Sequence, residues 1–379
     1  MKRRILIVAM LDSIHTAHWL ERLNHSDLII DLFPSRIYRK VHPKIIGAMA
    51  SNSNLSIIYP SKFIPKLIHG YFDFINYRFG KLFKFEDRRL AKLQYFVSKN
   101  EYSYLHALEI QGAGYLCNKL TIPASCKFIL TNWGSDIYFY QQIPTHVELI
   151  RGVLNKADYY SAECERDYVL ARQLGFSGIE LPVIPNSGGN YRIDDLYCQP
   201  RERLIVVKCY GGKFGRGDIA IQAISSILAD FSDVSVYFYS VSAEYVHLIE
   251  HLAVNYPGRI RYKTIRNRVN HSDLMAMFRK AIIYLGCSES DGISTSFLEA
   301  ISNGVYPVQS NSSCANEWVS KGIEASIVPL NVDSVYRELV KIFENSSEYE
   351  LRSRNNQKLA AKYLDPSTIR DKAQQFYNR

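Results

Sequence analysis

No stretch of the sequence holds the roughly 18 consecutive apolar residues that a membrane-spanning helix needs, so no bilayer span is expected. The start is basic (Lys2, Arg3, Arg4), but the apolar run from Ile5 ends at Asp12, which favours a buried first strand over a secretory signal. Seven cysteines (Cys117, Cys126, Cys164, Cys198, Cys209, Cys287, Cys314) lie scattered, with no Cys-x-x-Cys pair and no histidine at ligand spacing. That excludes a disulfide framework and a zinc site and fits a reducing cytoplasm. No Asp-x-Asp occurs, so the carboxylate pair that would present a diphosphate to Mg²⁺ is missing. The glycines at 211, 212, 215 and 217 match neither the P-loop nor the G-x-G-x-x-G spacing. Acidic charge is in deficit, 37 Asp and Glu against 46 Lys and Arg, and the net +9 implies an anionic partner. No nucleic-acid reading motif accompanies it, so nucleic acid is not expected.

The 379 residues are about two and a half times a common domain, and 47% hydrophobic content is enough for two cores. Strands are expected at Arg4–Ala9, Tyr104–Ile110, Phe128–Thr131 and Tyr159–Ala162, with a helix from Thr16 to Leu23. A more regular series begins at Leu204–Cys209. It continues with helix Asp218–Asp230, strand Val234–Val241, helix Glu244–Val254, strand Arg259–Ile265, helix Ser272–Arg279 and strand Ala281–Gly286. A helix after Thr295 and strands Val305–Val308 and Ile327–Leu330 complete it. Strand and helix in alternation predict an α/β chain of two doubly wound parallel-sheet domains. The expected boundaries are 1–185, a linker at 186–199 in the Pro- and Gly-rich stretch, 200–364, and a C-terminal helix in 365–379, whose docking periodicity leaves open, with packing back on the first domain as one option.

The most informative segment is Ser288-Glu-Ser-Asp291-Gly292-Ile-Ser294-Thr295-Ser-Phe-Leu-Glu299. A buried strand, a small polar loop and a helix place the free N–H groups of Ser294 to Phe297 at a helix N-terminus, where a diphosphate is favoured. Gly292 allows close approach, and Asp291 and Glu299 can accept hydrogen bonds from sugar or ribose hydroxyls. The plainer alternative makes Asp291 and Ser294 helix caps and Glu299 a solvent-facing residue. Lys208, Lys213 and Arg216 supply positive charge after the preceding strand series begins. In the first domain Ser13 and His15 follow strand one at the carboxyl edge, where open parallel sheets bind ligands, and Asp136 is a candidate to face the same side.

The spacing from Asp291 to Glu299 within Ser-Asp-Gly-Ile-Ser-Thr-Ser-Phe-Leu-Glu-Ala-Ile-Ser-Asn-Gly resembles the donor signature of the family 4 retaining glycosyltransferases. Thr131-Asn-Trp-Gly-Ser-Asp136, Ser161-Ala-Glu-Cys-Glu-Arg-Asp167, Ile184-Pro-Asn186 and Lys208-Cys-Tyr-Gly-Gly-Lys213-Phe-Gly-Arg216 are similar in the same order. The resemblance implies a GT-B fold, two Rossmann-like domains facing across a cleft. It implies a nucleotide-diphosphate sugar as donor, Glu299 on the ribose, Asp291 on the donor sugar, and Lys213 with Arg216, or Lys208 in reserve, on the diphosphate. Asp291 stands where the family usually has Glu, and Trp133 where it often has His. No cofactor and no metal are expected, because cations and the helix N-terminus take the metal's place. The acceptor implied is a glycan or polyprenyl-diphosphate-linked oligosaccharide of bacterial surface polysaccharide synthesis, on the cytoplasmic face of the membrane. An epimerase or a non-catalytic scaffold of the same fold is the alternative.

Between Ser61 and Asn100 nine Lys or Arg residues interleave with ten aromatic ones, and only Asp73, Glu86 and Asp87 oppose them. Such a stretch suits an anionic membrane surface, or else forms a solvated helical face.

Overall fold

In the computed structural model the described residues are 3–23, 27–36, 41–59, 85–185 and 201–378. They divide into two compact units, Met1–Ser187 with Ser367–Arg379, and Gly188–Pro366. The linker expected at 186–199 lies outside the described residues, as does most of the basic aromatic stretch.

The first unit is built on β1 (Arg3–Ala9), β2 (Leu28–Pro34), β3 (Leu55–Ile57), β4 (Tyr104–Leu108), β5 (Lys127–Thr131), β6 (Tyr159–Ser161) and β7 (Ile179–Glu180). They form one parallel sheet in the order β3-β2-β1-β4-β5-β6-β7. The reason is visible in β1, where both faces are apolar. Ile5, Ile7 and Ala9 enter the core on one side of the sheet, while Leu6 and Val8 enter the core on the other.

The second unit repeats the plan with β8 (Glu202–Lys208), β9 (Ser235–Val241), β10 (Ile260–Thr264), β11 (Ala281–Gly286), β12 (Tyr306–Ser310) and β13 (Ser326–Val328). Its order is β10-β9-β8-β11-β12-β13, again parallel throughout. Ile205 and Val207 of β8 pack on one side, Leu204 and Val206 on the other. In each sheet the winding reverses at one pair of neighbours, β1 with β4 and β8 with β11. The loops that leave the carboxyl ends of such a pair diverge, which leaves an opening where ligands of this fold class bind.

The expected strands are found with shifts of a few residues at their ends. One of them is at β4, which stops at Leu108 rather than Ile110 because Glu109 takes φ 92°, ψ 150°, a conformation that side chains other than glycine avoid. The Glu109 carboxylate offsets this strain by accepting the N–H groups of Gly112 and Ala113, each at 2.7 Å, in the π-turn Ile110–Gly114. A Cβ on Gly112 would lie 2.2 Å from Glu109 Oε1, so the turn needs glycine there.

Residues 366–377 return to the first unit. Ile369, Ala373, Phe376 and Tyr377 are buried in the core that includes β1 and Trp19. There Trp19 Nε1–H donates to the Tyr377 hydroxyl (3.1 Å), which lies 2.6 Å from His106 Nδ1. His106 Nε2 is 2.6 Å from Thr131 Oγ1, and Thr131 Oγ1 is 2.6 Å from Ser161 Oγ. The direction that gives the tyrosine proton an acceptor has the hydroxyl donating to Nδ1 and Nε2–H donating to threonine, which donates to serine. The imidazole is therefore neutral, and burial depresses its pKa to about 3.

Tyr377→Phe removes the acceptor for Trp19 and the donor for His106, and is expected to cost about 1–3 kcal/mol in chemical denaturation. Below the ordinary histidine value of 6.5, the unfolded chain binds a proton that folded His106 refuses until about pH 3, so stability is expected to fall as pH drops through that window. His18, depressed to about 3 by burial and by Lys44, contributes in the same direction. His106→Gln should flatten part of this slope, and an unchanged slope would show that the network does not control it.

Candidate functional site

The loops after β8 and β11 carry the residues singled out from the sequence, and they are stitched together. Gly215 and Ser288 form an isolated antiparallel bridge. Arg216 N–H donates to Cys287 O (3.2 Å) and Glu289 N–H to Phe214 O (2.8 Å). The stitch requires glycine at 215, because a Cβ there would lie 2.1 Å from the Tyr210 carbonyl oxygen.

Arg216 precedes helix Gly217–Asp230 and folds over this junction. Its Nε and Nη2 reach Asp218 at 3.0 and 2.9 Å, and Nη1 reaches Glu289 at 2.5 Å. These hydrogen bonds hold the guanidinium pKa above its ordinary value and the Asp218 carboxyl below its own. The arginine therefore spends much of its donor edge on fixing the two loops. Lys213 is exposed, with its ammonium 5.7 Å from the Phe214 ring centroid. Lys208, the last residue of β8, sits 4.8 Å over Tyr210.

The loop from Cys287 to Ser294 is also pinned from the far side. Ser288 N–H donates to Ser310 Oγ (3.1 Å), the Ser312 hydroxyl donates to Ser288 O, and Cys314 N–H donates to Gly292 O (2.8 Å). Asp291 is half-buried in this loop and adds to the forces, led by burial, that keep the Tyr210 phenol neutral. Ser294 stands at the N-cap of helix Thr295–Ser302 with φ −60° and ψ 124°, and its side chain makes no cap hydrogen bond. Thr295 opens that helix half-buried, and the residues after it, Ser296 to Ser302, are all buried.

Glu299 is therefore not a solvent-facing residue: it is 5% exposed. Its Oε1 lies 2.9 Å from His271 Nε2. Among the described residues no donor reaches Oε2. A buried carboxylate with half of its acceptor capacity uncommitted has a place for a hydroxyl pair.

The first-unit candidates lie at the carboxyl edge of the other sheet. Ser13 Oγ accepts the His15 N–H (3.1 Å) at the start of helix Ile14–Leu23, and the His15 ring lies 5.7 Å from that of Trp133. Asp136 Oδ2 accepts the N–H groups of Ile110 (2.9 Å) and Trp133 (3.0 Å), so this carboxylate ties the turn after β4 to the loop after β5. Burial, then the nearby Glu109 carboxylate, raise its pKa. His271, Ser310 and Ser312 have no signal in the sequence. Each is an ordinary polar residue by its neighbours, and only the parallel sheet brings it to the site.

Residues 219–360 match the family model described as glycosyl transferases group 1. No curated protein matches the chain in sequence. Sucrose-phosphate synthase from Thermosynechococcus elongatus superposes with a TM-score of 0.70 at 13% identity, covering 99% of this chain and 98% of that one. HepE of Anabaena, solved with UDP-glucose, gives 0.71 at 14% identity and 99% coverage of both chains. A UDP-N-acetylglucosamine 2-epimerase gives 0.58 at 12% identity, covering 93% and 91%. The fold is GT-B. Within that fold, the matched family segment of the second unit contains the junction of β11 with helix Thr295–Ser302, and so Asp291 and Glu299. At such low identities these structures establish the GT-B architecture, and the chemistry has to be argued from the residues in place.

Gly215→Ala tests the stitch. With backbone as the obstacle the loop must shift, and a loss of about 1–3 kcal/mol in stability is expected. Gly212→Ala, whose Cβ would meet nothing within 4 Å but whose φ is +72°, should cost less, about 1 kcal/mol. Equal effects of the two would place the constraint in φ rather than in the Gly215 approach.

Proposed function

We propose that the chain is a retaining, metal-independent glycosyltransferase that moves a sugar from a nucleoside-diphosphate sugar to a glycan or lipid-linked oligosaccharide. The observation that carries this reading is Glu299, buried at the switch point of the second sheet with one carboxylate oxygen uncommitted. It is supported by the family match over residues 219–360 and by UDP-glucose in the HepE structure. Glu299 accepts from the ribose hydroxyls, and Asp291, with Gly292 giving access, contacts the donor sugar. The first turn from Ser294 and Thr295 faces the diphosphate.

As the glycosidic bond breaks, charge grows on the leaving diphosphate, and donors already in place stabilise it without reorganising. Lys213, exposed on the loop after β8, and Lys208, at the end of that strand, supply cations to it. Arg216 joins them by exchanging Glu289 for phosphate, and otherwise holds the loops. Ser13, His15 and the Asp136 turn form the acceptor side. The acceptor proton leaves on a phosphate oxygen, so no side-chain base is assigned. The missing Asp-x-Asp favours this clamp over a metal. The same fold serves a UDP-N-acetylglucosamine 2-epimerase, which makes epimerisation the second reading. Incubation with labelled nucleotide sugars separates the two, since transfer or donor hydrolysis releases nucleoside diphosphate while an epimerase of this second reading yields a changed sugar.

Glu299→Ala is expected to raise the donor KM roughly ten- to a hundred-fold, as for loss of hydrogen bonds to a charged group. Unchanged donor affinity by calorimetry would remove Glu299 from the site. Activity should persist in EDTA, and loss restored by Mn²⁺ or Mg²⁺ would overturn the metal-independent clamp.

The reading includes action at the inner face of the cell membrane. Among the described residues no helix is long and apolar enough to cross a membrane, and the basic aromatic stretch is the docking candidate. Lys81, Lys84 and Arg88 are the positions to change. Arg89 is spared because its Nη1 donates to Ser35 O at 2.8 Å. The triple Ser variant should leave anionic vesicles at low salt, each charge contributing about 1 kcal/mol, with donor hydrolysis intact. Sedimentation equal to the parent's would make the stretch a solvated face.

A further inference from the structure

Glu299 is held from one side, and the residue that holds it has no part in the donor signature. An ionised carboxylate can only accept, so at 2.9 Å the proton must sit on His271 Nε2. His271 is the first residue of helix His271–Lys280, after Asn270 at φ −65° and ψ 147°, so its backbone is set by the helix start. Its side chain is 63% exposed against 7% for Glu299. The two helices are joined independently of this contact. Asn303 Nδ2 donates to Glu299 O (2.8 Å) and lies 3.4 Å from Met275 Sδ. A pair with one partner so exposed adds little to stability. What it does fix is the rotamer of a buried carboxylate that has several.

We propose that His271 is a positioning residue for the donor's ribose. By occupying Oε1 it fixes the carboxylate plane and leaves Oε2 as the acceptor for the ribose hydroxyls. The inference rests on the reading of Glu299 as the ribose-binding carboxylate. Without the imidazole the carboxylate can turn, and the ribose must then select one of several orientations. The cost falls on binding of the nucleoside part, and turnover at saturating donor is spared because the reacting carbon is elsewhere.

The test is calorimetry of the full chain with UDP, ADP and GDP, followed by the 2′-deoxy form of whichever binds tightest. His271→Ala should weaken binding roughly ten-fold and narrow the preference for ribose over 2′-deoxyribose, while the thermal midpoint stays with the parent. His271→Gln, whose amide can donate from a similar position, should recover binding to within about three-fold. The double variant His271→Ala with Glu299→Ala should bind no worse than Glu299→Ala alone, because the histidine acts through the glutamate. If Glu299→Ala loses binding and His271→Ala does not, the assignment of His271 is overturned and the donor reading stands. If His271→Ala lowers the thermal midpoint and leaves sugar preference unchanged, the contact is structural and the assignment is again overturned. If none of the three diphosphates binds the parent, the donor reading falls and this inference with it.

Discussion

Two parallel strands whose chain connections wind away in opposite directions leave their carboxyl ends with no covalent crossing between them. In the second unit that gap lies between β8 and β11, and one antiparallel bridge, Gly215 to Ser288, closes it. Everything assigned to donor binding hangs from this contact. It brings the cationic loop of Lys208, Lys213 and Arg216 against the loop that precedes helix Thr295–Ser302, and it leaves Arg216 no route but over the seam, where Asp218 and Glu289 hold it. The bridge is available only because residue 215 lacks a side chain.

The buried carboxylates at the sheet edges differ in how their oxygens are used. Glu109 and Asp136 are strongly perturbed and stand at a sheet edge, features that invite a catalytic reading. Yet each carboxylate is engaged with two backbone N–H groups of the turns it supports. Glu299 has an acceptor oxygen left over after its histidine is counted. Counting open acceptors separates Glu109, whose two oxygens are both taken, from Glu299; Asp136 takes both N–H groups on Oδ2 and is set apart by the two loops it ties together.

Much of the fold was legible in the order of residues, because a strand segment buried on both faces must be apolar throughout, as in residues 5–9 of β1 and in Ala281–Gly286. The loop proposed for the donor was legible for a different reason: its chemistry is local, and a strand, small residues and a helix start lie within one short segment. Contacts that depend on the third dimension were not. His271 is 28 positions from Glu299 and looks like any residue at a helix start. The end of β4 was missed because Glu109 adopts a backbone conformation that its side chain disfavours in isolation, held by bonds to residues that follow it. Helix Ser346–Tyr363, mostly polar with few buried positions, offered no clear apolar stripe to read.

The return of residues 366–377 to the first unit has a temporal side. Phe376 and Tyr377 are fully buried against elements built from the first two dozen residues, Trp19 among them. During synthesis at about 5–20 residues per second, the first unit leaves the ribosome early and then waits for the whole second unit before its own core can be filled. Through that interval the seat of the tyrosine is an open apolar trough, with an indole N–H and an imidazole nitrogen lacking their partner. The nascent chain is thus obliged to carry a half-finished domain, and its exposure to chaperones and proteases is set by the time taken to translate the other one.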